Sequence, residues 1–197
     1  MVLHYSSVNF ENLIKDLADM YTFPVSEVVL IELIANSLDA KALEIKIFYD
    51  VKERLLTVED NGMGMSKNNF GEYHDFAAGL KKRGTGIGFA GLGAKISFNV
   101  ASKVKTETFS SSFKGRSNWY LRSKKELVWE EMDKLQSLNH KGTKVQVYFD
   151  VLSPQNTIED IKVILMRHFL SLLDENFLNF YNDLDLYSNQ FRFFVNN

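Results

Sequence analysis

A chain of 197 residues with 45% hydrophobic and 24% charged residues, 16 Phe and 8 Tyr has the composition of an ordered globular protein with one well-filled core, not of a disordered one. Its formal charge of −2 excludes an electrostatic case for nucleic acid, which calls for a basic excess or a dense basic face, and Lys81-Lys82-Arg83 is too short to supply one. The absence of cysteine excludes disulfides, thiolate metal sites and a Cys nucleophile and fits a reducing interior; with no run near the ~18 apolar residues of a spanning helix and no signal peptide at Met1-Val2-Leu3-His4, a soluble cytoplasmic protein without a membrane partner is expected.

Residues 7 to 20 read as a helix, with Phe10, Leu13, Ile14 and Leu17 at helical spacing. A second helix runs from Ser26, taken as its N-cap, to about Ala40; Pro24 sits just outside, and Val25 and Leu30 occupy the hydrophobic-staple positions. Two alternating runs, Leu43 to Asp50 and Leu55 to Asp60, joined by Val51-Lys52-Glu53-Arg54, predict an antiparallel hairpin. A short helical piece near Phe70 follows the glycine turn "NGMGM". The stretch "AAGLKKRGTGIGFAGLG" is too rich in glycine for a regular element, and long segments of this kind inside a compact domain are often functional lids.

"AKISFNVASKV" reads as a third main helix opening at about Gly93 and running into a strand. Further strands are expected at 104 to 110, 115 to 122, 125 to 130 and 143 to 149. Ser153-Pro154 breaks the chain before a helix from about Thr157 to Leu173, whose Ile158, Ile161, Leu165, Phe169 and Leu172 keep one side apolar and meant for packing. Phe191 to Val195 predicts a last strand. Neither an internal repeat nor a domain linker is visible. The expected class is α+β: a two-layer sandwich of helices on a mixed, mostly antiparallel sheet, with residues 1–197 forming a single domain and 153–197 a C-terminal helix and strand extension.

The second helix holds the first functional signal. In "VVLIELIANSLDA" apolar residues cover most of the circumference, while Glu32, Asn36 and Asp39 stand at i, i+4 and i+7, on one face. Burying a carboxylate costs several kcal/mol unless something compensates it, so a polar row along a buried helix needs a cation, a water or a ligand. A narrow solvent face would give the same row, and these three residues alone leave both readings open.

Two glycine-rich stretches add to it. "VEDNGMGM" sets Asp60 at a strand end before a turn built on Gly62 and Gly64, where the backbone can approach a flat ligand and a carboxylate can accept from an exocyclic amino group; an ordinary turn would look similar. "GTGIGFAGLGAK" holds Gly84, Gly86, Gly88, Gly91 and Gly93. It is not a dinucleotide fingerprint, because Lys81-Lys82-Arg83 stands where an apolar strand is required and no acidic residue ends a second strand about 20 positions on. It is not a P-loop either, since "GAKI" replaces "GK" plus a hydroxyl residue. Loop amides leading into a helix and aimed at anionic phosphates remain as its possible use, beside a plain surface loop.

"ELIANSLDA", "DNGMGM" and "GTGIGFAGLGAK", in this order and followed by "KGTKVQVYF", resemble the ATP-binding motifs of the GHKL superfamily: gyrase, the large heat-shock chaperone, histidine kinases and MutL. The motifs span Glu32 to Phe149. The resemblance implies a Bergerat-type ATP-binding fold in which Glu32 is the catalytic acid that orients and deprotonates the attacking water, and Asn36 holds the Mg2+ that bridges the phosphates. It further implies that Asp60 reads the adenine amino group with help from the "GT" residue Thr143, that Gly62 and Gly64 flank the base, and that Gly88, Gly91 and Gly93 supply the hinge and amides of a phosphate lid. Asp39 receives no catalytic role. Glutamate at position 32, where sensor kinases usually carry asparagine, favours hydrolysis over kinase chemistry. The segment from Ile87 to Val104 looks closest to the chaperone and Microrchidia branches, whereas "NSLDA" is similar to mismatch-repair proteins.

The expected function is thus Mg2+-dependent ATP binding with slow hydrolysis, lid closure and ATP-dependent homodimerisation within a larger chaperone-like or DNA-associated machine. These ATPases usually complete the γ-phosphate site with a lysine or arginine from a following domain, and this chain ends soon after the motifs; weak activity is expected, and a nucleotide-sensing scaffold that binds ATP without useful turnover is the alternative. His4, His74, His140 and His168 have no ligand spacing, so no structural metal is assigned to them.

Overall fold

The computed structural model describes residues 3, 7–76, 93–132, 137–150, 158–174, 176–177 and 192–196. Helix α1 spans Phe10–Ala18. It starts three residues later than its apolar spacing suggests because Asn9 caps it, the side chain accepting from the Asn12 N–H at 3.1 Å. Helix α2 is Val25–Asp39, and here the expected cap is corrected. Ser26 lies inside the helix, Pro24 is the cap with φ −53° and ψ 140°, and no side chain caps the first turn. The proline ring presets φ, and its carbonyl accepts from the Val28 N–H at 3.0 Å, so the helix begins without a hydroxyl cap. Val25 and Leu30 consequently both lie within the helix, and the staple reading fails with the cap.

At the other end the Ala42 N–H reaches back to the Ser37 carbonyl at 3.1 Å, with Lys41 at φ 59°, which reverses the chain in the manner of a Schellman turn. That reversal starts the hairpin of β1, Glu44–Asp50, and β2, Leu55–Asp60. Helix α3, Lys67–His74, is capped by Ser66. The helix at Gly93 is real but short: α4 is Gly93–Ile96, followed by a 3-10 turn over Ser97–Asn99, so the expected third main helix is one turn long. The tight turn delivers the chain into β3, Ala101–Phe109, followed by β4, Lys114–Ser123, β5, Glu126–Glu131, and β6, Gly142–Phe149. Helix α5 is Ile158–Leu173 and strand β7 is Arg192–Val195.

The seven strands form one sheet in the order β5-β4-β3-β6-β2-β1-β7. Every pairing is antiparallel except that of β7 with β1, which makes the sheet mixed and mostly antiparallel, as expected. Inward residues of alternate positions, such as Ile45, Ile47, Val58, Val104, Trp119 and Val147, join α1, α2 and α5 in a continuous hydrophobic cluster. On the outward face Lys46, Glu59, Lys144, Glu107 and Arg116 are successive cross-strand partners. Their alternating charge pins the register, and Glu107 among them is buried where Ser137 and Leu138 donate to its carboxylate.

Ile161, Ile164, Leu165 and Phe169 of α5 enter the core, and Phe169 meets Phe193 of β7 with ring centroids 6.0 Å apart. A buried carboxylate also ties α5 to α2: Glu27 accepts from Arg167 Nη1 at 2.9 Å and from His168 Nε2 at 2.7 Å. The chain beyond residue 153 therefore contributes a sheet strand and part of the core.

Candidate functional site

Asp60 is the last residue of β2 and is 5% exposed. Strand register sets it opposite Thr143 of β6, and three elements converge on its carboxylate. Oδ1 accepts from the Gly62 N–H at 2.8 Å and the Thr143 N–H at 3.2 Å, while Oδ2 lies 3.0 Å from Ser37 Oγ of α2. Burial pushes its carboxyl up from 3.8 to about 6; the Gly62, Ser37 and Thr143 hydrogen bonds and His140 pull the other way. A carboxylate so deeply placed yet held ready to ionise is a frequent feature of functional sites.

The glycines around it are there for close approach. A Cβ on Gly62 would stand 2.7 Å from the Ala40 carbonyl oxygen and 3.0 Å from Asp60 Oδ1, because the turn docks on the end of α2 through the Met63 N–H and the Ala40 carbonyl, 2.9 Å apart. Gly64 sits at φ 68° with its α-carbon against the Phe109 carbonyl, a conformation and a closeness that suit only glycine.

Along α2, Glu32 is 6% exposed and Asn36 and Asp39 are half-buried, so the row of polar residues is not simply the helix's solvent face. The start of α4 lies directly on Glu32. A Cβ on Gly93 would collide with the Glu32 Cβ and stand 3.2 Å from its Oε2. The Tyr21 hydroxyl is buried, and that burial, with the Glu32 charge nearby, pushes the phenol up to about 12. Two residues beyond Gly93, the Lys95 side chain is buried, and desolvation lowers its ammonium to about 8 against the opposing pull of Asp75.

Of the residues singled out from sequence, Ser37-linked Asp60, Gly62 and Thr143 form one group, and Glu32 with Gly93 forms another a turn away on α2. Thr143 contributes through its main-chain N–H. Gly88 and Gly91 lie outside the described residues. Sequence reasoning passed over Ser37, Tyr21 and Lys95. Ser37 was legible in principle, as a further polar side chain between Asn36 and Asp39 in the apolar second half of α2.

His74 donates through Nδ1 to the Phe70 carbonyl at 2.7 Å, accepts from Ser117 Oγ at 2.8 Å and stacks on Trp129 at 4.1 Å; burial lowers it to about 4. Among the described residues no group of three or more His, Cys, Asp or Glu could hold a metal by itself, and no helix is long and apolar enough to cross a membrane.

The arrangement offers a carboxylate that can accept from an amino group at the mouth of a glycine turn and, along α2, an amide and a second carboxylate. Comparison with family models gives a match over residues 21–155 to the family described as "Histidine kinase-, DNA gyrase B-, and HSP90-like ATPase". The matched span takes in every element from α2 to β6 and stops short of α5. Comparison with curated proteins finds no match.

Proposed function

The chain belongs to the histidine kinase-, DNA gyrase B- and HSP90-like ATPases, a family of ATP-binding domains, and from that premise we propose that it binds Mg-ATP between α2 and the β2–β6 end of the sheet and hydrolyses it slowly. The observation that carries this reading is Asp60, a buried carboxylate gripped by Ser37, Gly62 and Thr143, with the glycine turn beside it too tight for any side chain. Such a carboxylate accepts from the adenine 6-amino group and is repelled by the carbonyl that guanine carries in the same place.

The donor set fits a magnesium nucleotide. Mg2+ takes one or two protein oxygens and leaves its other positions to phosphates and waters, and the half-buried Asn36 amide, one turn from Glu32, offers such an oxygen. When bound, the ion neutralises charge on the transferring phosphoryl group. Glu32, packed against Gly93, accepts the proton of the attacking water. Thr143 and Gly62 keep the Asp60 carboxylate aimed at the base through their N–H groups, and Ser37 fixes its second oxygen. The proposal extends to the finer features that the family resemblance implies: Gly88, Gly91 and Gly93 as amide donors of a lid over the phosphates, ATP-dependent pairing of two copies, and work within a larger chaperone-like or DNA-associated assembly in the cytoplasm.

The test is phosphate release at saturating Mg-ATP, beside an ATP titration, for the natural chain and Glu32→Ala. Removing a general base should lower turnover by roughly 10²–10⁴-fold and leave affinity within a few fold. Binding without any release by the natural chain would favour a nucleotide-sensing module; no binding at all would overturn the reading.

A further inference from the structure

Remote from Asp60, a cavity of about 20 Å³ lies between the beginning of α2, the β1 and β2 hairpin, the end of β6 and helix α5. Its walls are Leu30, Leu56, Phe149, Ile161 and Ile164, and its polar lining comes from Ser26 and Tyr49. Tyr49 is 6% exposed, and its hydroxyl is fully buried and meets no donor or acceptor among the described residues. Its ring is fixed on the inward face of β1 by strand register and by Phe149, with centroids 6.4 Å apart, so the hydroxyl cannot swing out to solvent without breaking the core.

We propose that this cavity is a binding site for one ordered water, which joins the Tyr49 hydroxyl to Ser26 in the first turn of α2 and so staples α5 and α2 to the sheet. A phenol hydroxyl left unpaired in an apolar interior costs about 1–3 kcal/mol. A single water needs about 10–15 Å³ of such space together with at least two polar partners; this cavity supplies that room and two hydroxyls. Each hydroxyl has one hydrogen and two lone pairs, so Ser26 can serve the water while keeping other bonds. The volume is too small for a second water or for any organic group, and the described residues of the wall carry no charged side chain that would hold an ion. Ser26, which reads as a helix cap from the sequence, thereby gains a different task in the same turn.

The site makes a prediction whose sign decides. If the water is present, Tyr49→Phe strips it of a partner, and the folding equilibrium constant of the full chain falls about fivefold or more in urea unfolding. Ser26→Ala falls likewise, and the double variant loses less than the two single losses together because both act on one water. A crystal structure of the natural chain then shows an ordered water within hydrogen-bond distance of Tyr49 Oη. If the cavity is dry, Tyr49→Phe deletes an unpaired hydroxyl and the folding constant stays level or rises; that result overturns the proposal, as do strictly additive single losses or a crystal structure in which the hydroxyls meet directly with no water between them.

Discussion

Ser37 Oγ lies 3.0 Å from Asp60 Oδ2 and 3.1 Å from the Leu33 carbonyl oxygen, so one hydroxyl hydrogen faces two acceptors. When Asp60 is protonated, its own O–H can donate to Ser37 while Ser37 donates to Leu33, and every partner is satisfied. Once Asp60 ionises, Ser37 must turn from the Leu33 carbonyl to serve it, or leave Oδ2 without its hydrogen. Donation from Ser37 stabilises the ionised Asp60 against the burial that favours the neutral acid, at the expense of its bond to Leu33, and an amino group arriving from a ligand supplies a further donor to the carboxylate.

The first consequence concerns stability against pH. A carboxyl held at about 6 in the folded chain against an ordinary 3.8 binds its proton more tightly folded than unfolded. Its contribution is fully present below the lower value and is lost as pH rises through the higher, by about 3 kcal/mol in all. His74, lowered from 6.5 to about 4, works oppositely: its contribution is present above 6.5 and is lost as pH falls towards 4. Urea unfolding between pH 4 and 7 should therefore give a shallow profile for the natural chain and a steep loss towards acid for Asp60→Asn. Parallel profiles for the two proteins would contradict the assignment.

A second consequence concerns Gly93. Adding one methyl there drives it into the Glu32 side chain, and overpacking of that kind costs about 1–3 kcal/mol. Gly93→Ala should lower the melting temperature modestly. Displacing a proton acceptor by a fraction of an ångström to an ångström should cost about a hundredfold in phosphate release, with ATP affinity much less changed. Equal losses in affinity and turnover would argue that Gly93 shapes the pocket instead of Glu32.

The third lies in the alkaline range. Lys95, lowered from 10.5 to about 8 by its burial, is bound to its proton less tightly folded than unfolded. Stability should rise as pH climbs from about 8 to 10.5, where the unfolded chain still holds the proton. Lys95→Met should be the more stable protein at pH 7 and lose that advantage by pH 10. A gap that does not vary over this range would mean the ammonium finds full compensation inside the fold.

Much of this was legible in the sequence because two periodicities carry it. Strands with period two gave the hairpin and β3 to β6, and helical spacing gave α1, α2 and α5; the row at Glu32, Asn36 and Asp39 was visible for the same reason. The cap of α2 was not, since Ser26 next to Pro24 satisfies the same local rule whether the chain enters the helix at one residue or the other, and proline geometry decides. The length of α4 was hidden because "AKISFNVASKV" is apolar throughout, and an apolar run does not tell a helix from a strand. Thr143 was paired with Asp60 only through the family resemblance, and Ser37 escaped, for a further reason: their meeting at Asp60 joins residues 83 and 23 positions away, and only the sheet register and the docking of α2 bring them there.

The measurement that tests the central claim most directly is a pair of titrations, Mg-ATP and Mg-GTP, on the natural chain and on Asp60→Asn at pH 7.5. Losing a charged acceptor for the adenine amino group should weaken ATP by roughly 10–100-fold, while an asparagine amide can donate to the guanine carbonyl, so the preference for ATP over GTP should shrink or invert. An unchanged ATP affinity, or an unchanged ratio between the two nucleotides, would show that Asp60 does not read the base.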